Sequence, residues 1–138
     1  MVLVDTPIWS AGMRRRHGPV SPEAEALAKL IAQGRAALIG AVRQEVLSGI
    51  RDEAQFERLR DGMRAFPDIP VLTVDYEQAG HFFNTCRRHG IQGSGTDYLL
   101  CAVAARHGIA LYTTDADFGR YTAYVPLTLY EREGEKPR

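Results

Sequence analysis

The sequence predicts one α/β domain over residues 1–130, a three-layer α/β/α sandwich around a central, mostly parallel sheet, with a charged tail at residues 131–138. Two observations carry this. Short apolar runs of strand length alternate with longer segments whose apolar residues recur at helical spacing, the order that parallel strands joined by crossover helices require. The first run, Val2-Leu3-Val4, is also continuously apolar, which suits a strand covered on both faces.

Taken in order, that first strand ends in Asp5, Thr6 and Pro7. Proline suits the first turn of a helix, and Ile8 and Trp9 can pack back on the sheet. Arg14-Arg15-Arg16-His17-Gly18-Pro19 breaks this helix. Ser21-Pro22-Glu23 then starts the next, with a capping hydroxyl, proline in the first turn and an acid near the positive end of the dipole. Its apolar face is Ala26, Leu27, Leu30 and Ile31, and it stops near Gly34. Ala36-Ala37-Leu38-Ile39 is the second strand-like run.

Residues 42–50 read as a helix, with Val42, Val46 and Ile50 spaced by four and Glu45 beside that stripe. A further amphipathic helix, residues 53–66, turns Phe56, Leu59, Met63 and Phe66 inward and Arg58, Arg60 and Arg64 outward. Pro67 and Pro70 end it. Val71-Leu72-Thr73-Val74 predicts a third strand, and residues 76–89 another helix. Ser94-Gly95-Thr96-Asp97 opens a helix that continues almost wholly small or apolar, through Leu99 to Ala105, and a helix apolar all round is a buried one. Ala110-Leu111-Tyr112-Thr113-Thr114-Asp115 repeats the opening pattern of a strand closed by a carboxylate, and Leu127-Thr128-Leu129 is a candidate edge strand.

Composition excludes several classes. Seventeen Lys and Arg balance seventeen Asp and Glu, so no overall basic field argues for nucleic acid; any such contact would be a local patch. The basic residues are nearly all Arg, with Lys only at Lys29 and Lys136. Cys86 and Cys101 lack metal-type spacing and read as reduced core thiols. No basic region precedes the first apolar run and no run reaches membrane-span length, which predicts a soluble cytoplasmic protein with no membrane partner.

Histidine chemistry is not indicated. Arg88-His89-Gly90 and Arg106-His107-Gly108 close helix-like segments, where cations suit the negative end of the dipole and glycine takes the left-handed turn. The acids are odder. Asp5 and Asp115 each terminate an apolar strand, Asp97 heads the most buried helix, and Glu45 edges an apolar stripe. Each has an ordinary explanation as a cap, a first-turn acid or a solvated charge. Together, Asp5, Asp97 and Asp115 fall at one end of one sheet, where open α/β sheets bind ligands. Like charges brought together there need a compensating cation, and hard oxygens without thiolate or imidazole suit Mg²⁺ or Mn²⁺.

These residues also resemble a known family. Val4-Asp5-Thr6, Gln44-Glu45-Val46, Ser94-Gly95-Thr96-Asp97-Tyr98-Leu99-Leu100 and above all Tyr112-Thr113-Thr114-Asp115-Ala116-Asp117-Phe118 are similar to the motifs of PIN-domain ribonucleases of the VapC toxin type, along nearly the whole chain. The residues after Asp97 are bulkier than the family's usual small ones. The resemblance implies a PIN-like fold with Asp5, Glu45, Asp97 and Asp115 as the catalytic acids around one or two Mg²⁺ ions. Asp5, Asp97 and Asp115 would be the metal ligands, and Glu45 would hold the attacking or a metal-bound water. Asp117, Thr6, Ser94 and Thr113 would support them. It further implies cleavage of structured RNA such as tRNA, a small VapB-like antitoxin partner bound as an amphipathic segment, and a homodimer. Arg14-Arg15-Arg16 and Arg87-Arg88 are candidate phosphate contacts. Three alternatives stand beside this expectation: an RNA-processing nuclease without a toxin role, a phosphohydrolase using the same acids, and a binding module whose acids hold only a structural ion.

Overall fold

The computed structural model describes residues 1–14 and 18–136. A three-stranded parallel sheet lies at its centre, in the order β2-β1-β3, formed by β1 (Val2–Val4), β2 (Ala36–Ala37) and β3 (Ala110–Tyr112). The central strand is the continuously apolar one. Val2, Leu3 and Val4 are all buried, so both of its faces are covered. Leu3 pairs with Ala37 on one side and Leu111 on the other, and Val4 pairs with Tyr112. This register brings the carboxyl ends of β1 and β3 level, and the backbone N–H of Asp5 donates to the Tyr112 carbonyl at 2.9 Å.

Seven helices complete the chain among the described residues: α1 (Thr6–Met13), α2 (Pro22–Ala32), α3 (Gly40–Leu47), α4 (Glu53–Met63), α5 (Thr73–Arg88), α6 (Gly95–His107) and α7 (Asp117–Tyr121). Helix α1 packs on α2 and α3, and α3 on α4, while α5 and α6 form the other packed pair. The α6 segment is buried from Tyr98 to Ala104, as its all-round apolar sequence demands. Ser21 caps α2 by accepting the Ala24 N–H, with Pro22 in the first turn. Gly108 closes α6 in the left-handed region at φ 63°, and His89 caps α5 ahead of Gly90, so both expected helix-end roles hold. Cys86 and Cys101 are buried free thiols.

Four expectations change. The run Val71-Leu72-Thr73-Val74 is not a strand; α5 already begins at Thr73. Its β-branched residues favour a strand locally, but Asp75 reaches back to accept the Leu72 N–H at 2.8 Å and starts a helix instead. Residues 127–129 contribute only an isolated bridge, Leu111 to Leu129, and Leu38 makes another with Asp68. The helices at 42–50 and 53–66 are displaced or shortened to Gly40–Leu47 and Glu53–Met63. The charged tail, as far as Lys136, lies along α2: Arg132 faces Glu23 at 3.9 Å and Lys29 faces Glu133 at 3.5 Å. The expected break at Arg15, Arg16 and His17 lies outside the described residues. No helix among those described is long and apolar enough to cross a membrane.

Candidate active site

Each acid of interest is delivered by the start or end of an element, and each is held by hydrogen bonds from the protein. Asp5 follows the last residue of β1 and caps α1, accepting the Thr6 N–H on Oδ1 at 2.8 Å. Its Oδ2 accepts the Thr113 hydroxyl at 2.8 Å, across the β1–β3 junction. Asp5 is only 6% exposed. Burial pushes its carboxyl up to about 6, with the Asp97 and Glu45 charges adding to the rise while Thr113 and Thr6 oppose it.

Asp97 lies in the first turn of α6. Ser94 accepts its N–H at 3.1 Å, and the Tyr121 phenol donates to its Oδ2 at 2.7 Å. Burial raises its pKa too, with Asp115 contributing repulsion and the Tyr121 and Ser94 hydrogen bonds working against the rise. Asp115 comes two residues after Thr113. Its N–H donates to the Thr113 hydroxyl at 3.0 Å, and its Oδ1 accepts the Asp117 N–H at 2.9 Å, ahead of α7. Glu45, on α3, is the exposed member, and its Oε2 accepts the Thr6 hydroxyl at 3.1 Å.

The four acids therefore form one electrostatic group: Asp5 feels Asp97 and Glu45, and Asp97 feels Asp115. Thr6 and Thr113 stitch it together, Thr6 touching Asp5 and Glu45, Thr113 touching Asp5 and Asp115. No ion pair to any of the four occurs among the described residues. Nor are any three His, Cys, Asp or Glu side chains there already closed around a common metal position. The donor set nonetheless fits a hard divalent cation: oxygen ligands only, two of them raised by burial and then by mutual repulsion, and no ammonium or guanidinium paired with them among the described residues.

Of the supporting residues, Asp117 acts through its backbone N–H, since its carboxylate pairs with Arg120 at 2.6 Å. Among the basic candidates, Arg14 donates to the Val46 carbonyl, Arg88 to Thr85, and Arg87 lies 5.8 Å above the Phe83 ring. Phe83 in turn meets Tyr98, next to Asp97, with ring centroids 5.7 Å apart. Arg15 and Arg16 lie outside the described residues. Sequence reasoning missed Tyr121, because nothing along the chain says that a short helix after Asp117 turns this phenol toward the start of α6.

Comparison with known proteins places this arrangement in a family. The PIN-domain family model matches residues 2–124. Ribonuclease VapC11 of Mycobacterium tuberculosis is 30% identical over 120 residues, covering 86% of this chain and 89% of the relative. Among solved structures, FitAcB of Neisseria gonorrhoeae superposes with a TM-score of 0.75 at 17% identity, over 95% of this chain and 97% of that one. VapBC2 of Rickettsia felis, bound to a DNA fragment from its promoter, gives 0.74 at 18%, over 94% and 98%. The last two likenesses speak for the fold.

Proposed function

The chain belongs to the PIN-domain family, among the VapC-type ribonucleases, and on that premise we propose that it is a Mg²⁺-dependent endoribonuclease acting as the toxin of a toxin–antitoxin pair. One observation supports the metal dependence most: carboxylates from four separate segments repel one another near the carboxyl end of a parallel sheet, with no ion pair to any of them among the described residues. Asp5, Asp97 and Asp115 hold the ion, and Mn²⁺ substitutes for it. When bound, the ion would supply a more acidic water and neutralise charge on the phosphate.

The residues of the chain do the rest. Thr6 and Thr113 fix Asp5, Ser94 sets the turn that carries Asp97, and Asp115 is held by Thr113 and the Asp117 N–H. Glu45, exposed and tethered by Thr6, holds the attacking water and takes its proton. Attack on a backbone phosphate leaves a 5′-phosphate and a 3′-hydroxyl. Structured RNA with splayed single-stranded loops, such as tRNA, is the substrate class, because an unstacked strand admits the carboxylates to its phosphate. Arg87, 5.8 Å above the Phe83 ring, is the proposed contact for the flanking backbone.

A VapB-like antitoxin is the proposed regulator, in line with the neighbour solved as a VapBC complex. The partner at the α5–α6 face is a second copy. Leu72, Val74 and Tyr76 stand exposed at the start of α5, beside an open cavity of about 480 Å³ lined by Tyr76, Ala79, Phe83 and Leu99. The test is incubation of the purified chain with tRNA in Mg²⁺, in chelator, and as Asp97→Asn, followed by mapping of RNA ends. The reading requires discrete cuts with 5′-phosphates that chelator and the substitution both remove. Hydrolysis of small phosphate esters with RNA left whole would overturn it.

A further inference from the structure

We propose that Tyr121 is a positioning residue for Asp97, and that Gly93 is what lets it reach. This rests on the proposed role of Asp97 as a metal ligand and adds a partner to it. The phenol of Tyr121 donates to Asp97 Oδ2 at 2.7 Å, and the residue is fully buried on α7. Its ring is wedged between Tyr98, 5.0 Å away, and Phe118, 5.2 Å away, so the hydroxyl has little freedom to swing.

Gly93 sits immediately before Ser94, the residue that caps α6. A Cβ built at Gly93 would lie 2.3 Å from the Tyr121 oxygen, 2.8 Å from Cζ and 2.9 Å from the Tyr98 oxygen. Those are contacts with packed aromatic groups rather than a flexible chain end, so any side chain there must push the phenol off Asp97. One oxygen of Asp97 is thus pinned by a neutral donor. The Ser94 side chain bonds the same carboxylate, so Asp97 is held in a fixed orientation, as ligating carboxylates generally are by their outer partners.

The experiment is Mg²⁺ and Mn²⁺ binding by calorimetry to the wild-type protein, Tyr121→Phe, Gly93→Ala and Asp97→Asn, with metal-free melting recorded for each. Tyr121→Phe keeps the ring, and should weaken metal binding about tenfold while the fold persists. Gly93→Ala should weaken it similarly with the phenol intact, and raising Mg²⁺ should recover RNA cleavage in both. Wild-type affinity in Tyr121→Phe, with binding lost in Asp97→Asn, overturns the positioning role alone. Wild-type protein that binds neither metal, or Asp97→Asn that binds as wild type, overturns the metal site and this proposal with it.

Discussion

Two carboxylates in this domain are almost equally hidden from water, Asp5 at 6% exposure and Asp75 at 1%, and their surroundings push them in opposite directions. Asp75 is matched. The Arg106 guanidinium grips it through two bonds of 2.7 and 2.9 Å, and the Leu72 N–H adds a third, so its pKa is held below the usual range. Asp5 receives two hydrogen bonds as well, yet among the described residues no cation pairs with it, and burial, reinforced by the Asp97 and Glu45 charges, raises its pKa to about 6. A buried acid with its own arginine is a piece of architecture, here fastening the start of α5 to the end of α6. A buried acid that faces other acids costs stability, and that cost is repaid only when a cation arrives from outside.

The largest expected consequence is in activity. Asp5→Asn and Asp97→Asn should each lower RNA cleavage roughly a thousandfold or more, measured by single-turnover kinetics in saturating Mg²⁺. Asp75→Asn should instead leave the chemistry of the folded protein nearly intact while lowering the metal-free melting temperature by roughly 5 °C, because α5 loses its starting bond and its tie to Arg106. If Asp75→Asn abolished cleavage without loss of stability, the division between the two acids would be wrong.

Next comes the dependence on pH. Protonation of Asp5 favours the folded state, since its folded value of about 6 lies above the unfolded value of about 3.9. Its contribution is therefore fully present below about pH 4 and is lost as pH rises through about 6, on the order of 3 kcal/mol. Asp75, with a lowered value, has the reverse sign: its contribution is present above the unfolded value and fades in stronger acid. Denaturant titrations of the metal-free protein from pH 4 to 7 should show wild-type stability falling with pH, and Asp5→Asn should flatten that fall. The smallest effect belongs to the exposed pair Lys29–Glu133, with side chains 68% and 91% accessible; Lys29→Ala should leave the melting temperature unchanged.

Much of this contrast could be read from the chain, but unevenly. Asp5 and Asp115 were legible because a buried parallel strand is a continuous apolar run, and a carboxylate that ends one announces itself. Asp97 was legible because it heads a helix that is apolar almost all round, where a carboxylate is out of place. Glu45 was the weakest of the four from position alone and gained its role from the family likeness, since an acid beside an apolar stripe looks like any solvated charge until Thr6 is seen to bond it. Asp75 was hidden in the gap between the strand expected at Val71 to Val74 and the helix expected from residue 76. Local β-preference at Val71 to Val74 lost to a tertiary partner, Arg106, thirty-one residues away. Tyr121 was equally out of reach, for its meaning depends on how α7 packs against α6.

Asp5 is destabilised by burial first and by its acidic neighbours second, and on the proposed function a divalent ion relieves it. Carboxyl carbon NMR of selectively labelled protein, titrated without metal and again in saturating Mg²⁺, measures that directly. Asp5 should titrate near 6 in the metal-free protein and fall below the ordinary aspartate value once Mg²⁺ is added. A metal-free midpoint near 4, or one that Mg²⁺ leaves in place, would contradict it.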